Sequence, residues 1–221
     1  MNAVAFDISA ACAGFIFAMN IVEGFFKAGI YKTALIIGAE TLSKVTDWSD
    51  RGTCVLFGDG AGAAVLKAEE TGIIDMMMGA DGTKGDVLAC TSRTVGNFLT
   101  GTKPELGFMT MDGQEVFKFA VRKVPESVLE LLNRTGTKKE DIKYYVLHQA
   151  NERIIEAAAR RLKEPMEKFP MTIGQFGNTS TASIPLLLDD MIQKDMLKRG
   201  DKIIMSGFGA GMTWGAVLME W

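Results

Sequence analysis

Residues 3–37 constrain what this chain can fold into more than any other stretch. A short apolar run at 3–8 leads into a cluster of small residues, then a proline-free apolar run at 15–26 and, after Gly29, a second short apolar run at 33–37. Short apolar runs between turn residues read as buried strands and the longer one as a largely buried helix, with Gly29 as its C-terminal cap. Strand, helix and strand with short connections predict a βαβ unit whose two strands are parallel. The cluster between the first strand and the helix is Asp7-Ile8-Ser9-Ala10-Ala11-Cys12-Ala13-Gly14-Phe15. Cys12 is thereby predicted at a strand-to-helix turn, beside unpaired N–H groups and the positive end of a helix dipole. That setting lowers a thiol pKa and favours the nucleophilic thiolate. Small neighbours also let a substrate carbonyl approach backbone amides closely. The other reading of Cys12 is a small buried hydrophobe, which is what most free cysteines are.

The 221 residues, 48% apolar and 23% charged, are those of a soluble globular chain long enough for one large domain or two small ones. No run has the length of a membrane span and the N-terminus lacks the order of a signal peptide, so a cytoplasmic protein with no membrane contact is expected. The three cysteines, Cys12, Cys54 and Cys90, are odd in number and irregularly spaced, against both a disulfide framework and a zinc site. With one histidine in the chain, no metal is expected. A net charge of −3 gives no global basic footprint for nucleic acid, although a local basic patch stays open. A strand at 3–8 needs neighbours on both faces, so the chain is expected to begin inside a fold.

The loop 41–53 is polar. Residues 55–57 and 61–66 read as two short apolar segments around the turn Gly58-Asp59-Gly60. The run Phe57-Gly58-Asp59-Gly60-Ala61-Gly62 lacks the Gly-Lys-Ser/Thr ending of a phosphate loop, and close backbone packing is the better reading. Residues 72–113 are irregular, with Met76-Met77-Met78 as strand or core filling and 94–107 as an excursion or flap. Residues 114–123 are helical, and Pro125 opens or kinks the next helical stretch, which runs to 132. Thr137-Lys138-Lys139-Glu140 matches a capping box before a short helical turn. A strand at 144–147 runs into His148-Gln149-Ala150-Asn151, and a helix follows at 152–162. Residues 177–183 form a polar loop leading into a helix at 184–197, with Pro185 in its first turn. Strands at 202–205 and 213–221 flank a glycine-rich turn at 207–211.

Strand, Cys12, helix and strand in the first half have a counterpart in strand, His148, helices and strand in the second. Two such halves would place strand ends side by side, where open α/β sheets hold ligands. His148 alone reads as a hydrogen-bonded residue of the core or surface, and Asn178 alone as a turn or cap residue. Each of the three, however, stands at a junction between a loop and a regular element. Cysteine, histidine and asparagine converging on one pocket would give a nucleophile and two donors for a developing oxyanion.

Four motifs then stand in order: Asp-Ile-Ser-Ala-Ala-Cys-Ala-Gly-Phe at 7–15, His-Gln-Ala-Asn at 148–151, Gly-Asn-Thr-Ser-Thr-Ala-Ser-Ile-Pro at 177–185 and Gly-Phe-Gly-Ala-Gly-Met-Thr-Trp-Gly at 207–215. Together they closely resemble β-ketoacyl-acyl-carrier-protein synthase III, of the thiolase superfamily. The resemblance implies an α/β thiolase-like fold, two related βαβ-type halves in an α-β-α-β-α layering. It also implies an acyltransferase that initiates fatty acid synthesis by decarboxylative condensation of an acyl-CoA, typically acetyl-CoA, with malonyl-acyl-carrier-protein. Cys12 would carry the acyl group. His148 and Asn178 would hold the enolate, with His148 neutral and its protonated nitrogen facing the substrate. The N–H groups of Cys12 and Ala210 would form the oxyanion hole. By position, Arg51 matches a CoA-contacting arginine, Phe117 a tunnel-lining residue and Arg153 a carrier-protein docking residue. Lys103, Arg122, Lys123, Arg160, Arg161 and Lys163 would extend a basic face for an acidic carrier protein. CoA thioesters are substrates in that scheme, no cofactor is implied, and the intact family is homodimeric.

The resemblance also shows a departure, since about the first third of the family chain has no counterpart here. Residues 1–112 would be the remainder of an N-terminal half carrying the cysteine, and 113–221 the C-terminal half carrying histidine and asparagine. Such a chain is expected to be a fragment, a gene with a displaced start or one piece of a split protein. By itself it should be poorly soluble or inactive, because 3–8 and 15–28 would expose apolar surface. A related condensing enzyme with another acyl substrate, a non-catalytic partner subunit and a cysteine hydrolase are the alternatives.

Overall fold

The computed structural model describes residues 3–91, 96–104 and 107–221. Among them are eight strands: β1 (Thr33–Glu40), β2 (Gly60–Lys67), β3 (Ile73–Ala80), β4 (Leu88–Cys90), β5 (Met109–Met111), β6 (Ile142–Leu147), β7 (Lys202–Gly209) and β8 (Thr213–Glu220). The helices are α1 (Gly14–Lys27), α2 (Gly113–Thr135), α3 (Glu152–Leu162), the single turn α4 (Ile173–Phe176) and α5 (Ser183–Gln193).

β6 and β7 are apolar at nearly every position, as strands covered on both faces must be. They pair in parallel within a four-stranded sheet of order β3-β8-β7-β6, whose other neighbours are antiparallel. Successive side chains alternate between two cores. Leu147, Ile204 and Leu218 pack with Val128 and Leu131 of α2 and Ile155 and Leu162 of α3. Val146, Ile203 and Val217 pack with Phe15 and Ile16 of α1 and Ile184 and Leu187 of α5. Each such side chain contributes about 1.5–3 kcal/mol through burial.

The far side of α1 and α5 meets a two-stranded antiparallel ladder of β1 and β2, which adds Ile36 and Leu66 to the second core. The layers therefore run α2/α3, sheet, α1/α5, ladder: four of the five layers expected, with no helix on the outer face of the ladder among the described residues. On the ladder's outer face Leu35 is opposite Val65 and Ile37 opposite Ala63. Leu35 and Ile37 are each 60% exposed and Val65 73%, a contiguous apolar surface that no described residue covers.

Several expectations are corrected. Residues 3–8 form no strand: they pair with nothing among the described residues, and Val4, Phe6 and Ile8 stay exposed. The first βαβ unit is therefore not closed, and β1 pairs antiparallel with β2. Val55 and Leu56 lie in turns and Phe57 forms a lone parallel bridge with Asn178 rather than an arm of a hairpin, and 207–209 belong to β7, leaving only 210–212 as the connection to β8. Thr137 caps nothing; Lys138 precedes the short turn at Lys139–Asp141, and the Thr137 hydroxyl bonds Thr135 instead. The flap at 94–107 falls partly outside the described residues, its remainder holding a tight turn bridged by Asn97 and Thr102. Met76-Met77-Met78 lies in β3, as expected.

Pro125 opens no new helix, for α2 runs as one helix from its Asp112 cap to Gly136 at φ +67° with the proline inside it. A proline lacks the N–H that would bond the carbonyl four residues earlier. That carbonyl, on Val121, accepts from Nη1 of Arg161 at 3.2 Å. A side chain of α3 thus replaces the missing donor and ties the two helices together.

Candidate active site

Cys12 occupies a tight turn, Ala11–Ala13, that feeds α1, and Ala11 holds φ at +46°. Asn178 follows Gly177, and Ser180 beyond it holds φ at +51°. These are two of only four non-glycine residues with positive φ among the described residues. Each such conformation costs of order 1–3 kcal/mol and persists only where its surroundings enforce it. The enforcement is visible. The Thr181 hydroxyl donates to the Ala11 carbonyl at 2.8 Å, joining the asparagine loop to the cysteine turn. The Thr213 hydroxyl lies 3.0 Å from the Ala10 carbonyl and 3.1 Å from that of Ala210, joining the cysteine turn to the end of β7.

Asn178 is held through its backbone as well. Its N–H donates to Leu56 at 2.8 Å and its carbonyl accepts from Gly58 at 3.0 Å. A side chain at Gly58 would collide with the Phe176 carbonyl, so the glycine run at 57–62 does serve close backbone packing. The side-chain Oδ1 of Asn178 accepts from the Ser180 N–H at 2.9 Å, which leaves Nδ2 as the free end. His148 leaves the end of β6, its N–H bonded to the Ser206 carbonyl at 2.8 Å. Its Nδ1 lies 2.6 Å from the Ser183 hydroxyl, and Phe208 meets the ring edge-on with centroids 5.5 Å apart.

Cys12, His148 and Asn178 line one cavity of about 200 Å³, together with Gly209, Phe208, Leu88, Val116 and Phe117. The three groups that the sequence places at separate junctions therefore meet. Gly52, the neighbour of exposed Arg51, also lines it. A second, more open depression shares Gly113, Phe117 and Asn151 with the first and continues to Lys118 and Arg153 at the surface. Ala210 is half-buried in the turn beyond β7, whereas Gly209 faces the cavity.

The thiolate expected of Cys12 is corrected. The side chain is buried, and loss of hydration pushes its thiol up to about 11, with smaller opposing pulls from the Ser180 hydroxyl and the Cys12 N–H. Burial disfavours charge more than these donors favour it. Burial likewise lowers the His148 pKa to about 3, so the imidazole is neutral across the physiological range, as the resemblance implied. The hydroxyls of Ser180 and Ser183 do not stand out in the sequence, where they are members of a polar loop, yet both are buried against the site. Their one signal is their place just before an apolar helix.

A layered α/β frame with a thiol, a neutral imidazole and a carboxamide in one cavity defines a thiolase-like protein. The family description 3-oxoacyl-[acyl-carrier-protein] synthase III matches residues 6–82, and that of its C-terminal part matches 132–221. The β-ketoacyl-[acyl-carrier-protein] synthase III of Clostridium acetobutylicum is 50% identical over the whole of this chain, and that of Clostridium novyi 52%; the chain spans 68% of each. Among solved structures, 3-oxoacyl-(acyl carrier protein) synthase III from Pseudomonas aeruginosa superposes with a TM-score of 0.93 at 38% identity, covering 99% of this chain and 68% of that one. The corresponding protein from Aquifex aeolicus gives 0.89 at 45%, covering 98% and 67%. The chain belongs to the 3-oxoacyl-acyl-carrier-protein synthase III family.

Proposed function

We propose that the chain carries out the decarboxylative condensation of an acyl-CoA, acetyl-CoA in the first instance, with malonyl-acyl-carrier-protein, the step that begins fatty acid synthesis. The observation that carries this reading is the shared cavity of Cys12, His148 and Asn178, built from the family's own motifs. The Cys12 sulfur attacks the acyl-CoA carbonyl, the carbon–sulfur bond to CoA breaks, and the thiol proton leaves with the CoA sulfur. The Cys12 N–H and an amide of the Gly209–Ala210 turn stabilise the tetrahedral oxyanion. Malonyl thioester then loses carbon dioxide, and the electron pair of the broken carbon–carbon bond moves onto the thioester oxygen. Nε2–H of His148 and Nδ2–H of Asn178 hold that enolate oxygen. The enolate carbon attacks acyl-Cys12, the carbon–sulfur bond to Cys12 breaks, and the departing sulfur takes up a proton from solvent. The thioesters supply all the chemical activation, so no cofactor is required.

Phe117 borders both depressions and lines the path of the pantetheine arm, with Arg51 contacting CoA and Arg153 meeting the acidic carrier protein. The wider basic face is reduced, because Arg161 is engaged by Glu126 and Val121, Arg160 by Glu156, and Lys123 by Glu126 and the Trp214 ring. Self-association through the apolar outer face of the β1–β2 ladder accords with the homodimer that the resemblance implies. No helix among the described residues is long and apolar enough to cross a membrane, and a cytoplasmic site of action accords with the odd set of free cysteines.

The test is a condensation assay with acetyl-CoA and malonyl-acyl-carrier-protein, read as acetoacetyl-carrier-protein and released carbon dioxide. Both products are expected in equal amounts. Acetyl-CoA hydrolysis without carbon–carbon bond formation would assign the chain to the hydrolases instead.

A further inference from the structure

His148 is neutral in its buried setting, so one of its two ring nitrogens carries a proton and the other does not. Which one decides what the ring can do: a protonated Nε2 donates into the cavity, whereas a bare Nε2 can only accept. No protein group among the described residues bonds Nε2, and the ring nitrogen on the other side, Nδ1, is fully committed to Ser183.

We propose that Ser183 is a positioning residue that fixes His148 as the Nε2–H tautomer, an inference that rests on the condensing role given to His148 above. The argument turns on the hydrogen-bond inventory of one hydroxyl. A serine has a single proton to donate and two lone pairs to accept with. The Gln149 N–H donates to the Ser183 oxygen at 3.3 Å, which uses one lone pair. At 2.6 Å the contact to Nδ1 is short enough to be a strong hydrogen bond. If Ser183 gives its proton to Nδ1, the hydroxyl and Nδ1 are both satisfied and the imidazole proton is left on Nε2, which faces the cavity. If Nδ1 carried the proton, Ser183 would accept twice, and its own O–H would have no acceptor among the described residues in a site where Ser183 is only 2% exposed. Nε2 faces the cavity in either case, so the unmade hydrogen bond of the buried hydroxyl is what sets the tautomer.

Gln149 makes the arrangement rigid. Its side-chain Nε2 donates to the Leu147 carbonyl at 2.8 Å, and its Oε1 accepts from the Thr172 N–H at 2.9 Å. The residue whose backbone N–H braces Ser183 is therefore itself clamped, through its side chain, between the end of β6 and the segment before α4. Ser183 opens α5, so the strand that delivers the histidine and the helix that follows the asparagine loop are joined through the imidazole. The consequence for chemistry is a division of labour. In this tautomer His148 serves as a donor to the malonyl thioester oxygen and cannot be the group that takes the Cys12 proton.

His148 is the only histidine in the chain, so nitrogen-15 labelling of histidine gives one imidazole and its tautomer is read directly from the ring nitrogen shifts and their couplings to the ring protons. The wild-type chain is expected to show Nε2 protonated and Nδ1 bare from pH 6 to pH 8. Ser183→Ala is expected to give tautomer exchange, and condensation falls roughly tenfold to a hundredfold while acetyl loading of Cys12 persists. Ser183→Thr, which keeps the hydroxyl, restores the single tautomer. A wild-type spectrum with the proton on Nδ1 would overturn the proposal, and so would Ser183→Ala with an unchanged spectrum and unchanged condensation. The spectrum is independent of turnover. A chain that showed the Nε2–H tautomer yet failed to condense would thus sink the proposed function and leave the tautomer assignment standing.

Discussion

The Ser180 N–H donates to Oδ1 of Asn178 at 2.9 Å, and that bond decides which end of the carboxamide faces the cavity. A backbone N–H can only donate, so the oxygen is consumed and the two N–H bonds of Nδ2 are the ones left for substrate. Asn178→Asp keeps the oxygen that Ser180 binds and replaces the free donor by a second, negatively charged oxygen. Decarboxylation of malonyl-carrier-protein is expected to fall by about a hundredfold to a thousandfold, while acetyl transfer to Cys12 continues. Carbon dioxide release and acyl-enzyme formation, measured on the same sample, separate the two steps.

The buried thiol sets a pH dependence of definite sign. Cys12 is raised from the ordinary 9.0 to about 11, and the cause is burial. Its reactive anion therefore grows about tenfold per pH unit through neutrality and well past pH 9. Alkylation of Cys12 by iodoacetamide, followed by peptide mass analysis, should rise without a plateau from pH 7 to pH 10. At pH 8 it should run about a hundredfold slower than that of a small free thiol. The same shift favours the folded state with the thiol neutral. That contribution is complete below pH 9 and is lost as the pH rises through 11, so Cys12→Ser should flatten this part of the stability profile. A plateau near pH 7 would mean that the turn stabilises the anion after all.

Two glycines of β7 should respond differently to the same substitution. A Cβ on Gly209 would come within 2.6 Å of the Cys12 nitrogen and 3.1 Å of the Ala13 nitrogen, both backbone atoms that cannot swing aside. Gly209→Ala is expected to displace the cysteine turn, abolish acyl loading and cost about 1–3 kcal/mol of stability. On Gly207 the closest approach is 3.4 Å, to the Cys12 carbonyl, so Gly207→Ala should keep the loading reaction. Thermal melts and acyl loading of the two variants side by side test the contrast.

The outer face of the β1–β2 ladder gives a prediction about association. Leu35 and Val65 stand opposite each other there and are mostly exposed. Charged substitution at both, Leu35→Lys with Val65→Lys, should leave the buried face of the ladder untouched and reduce self-association, as measured by sedimentation velocity. A sedimentation pattern unchanged by the double substitution would remove this face from any homodimer.

Much of the second half was legible in the sequence because its signals are local. Ile154, Ile155, Ala158, Ala159 and Leu162 repeat with helical spacing behind the Asn151 cap, and α3 occupies 152–162 as expected. His148 and Asn178 were likewise marked by their positions at the ends of regular elements. What could not be read depends on partners distant in sequence. Whether 3–8 becomes a strand is decided by a neighbour that no local pattern names. Pro125 is tolerated because Arg161, brought alongside by another helix, supplies a donor to Val121. The Cys12 thiol is held neutral by burial, and β7 packs close against its turn at Gly209, a contact spanning nearly the whole chain. Ser180 and Ser183 look like any hydroxyls of a surface loop until the fold buries them beside the site.

The central claim is that Cys12 carries the acyl group that His148 and Asn178 then help to extend. Incubation with acetyl-CoA, rapid quenching and peptide mapping measures it most directly. The prediction is one acetyl group on the peptide containing Cys12, none on Cys54 or Cys90, and its disappearance into acetoacetyl-carrier-protein when malonyl-carrier-protein is added. An acetyl group that never appears on Cys12 while acetoacetyl-carrier-protein still forms would contradict the account.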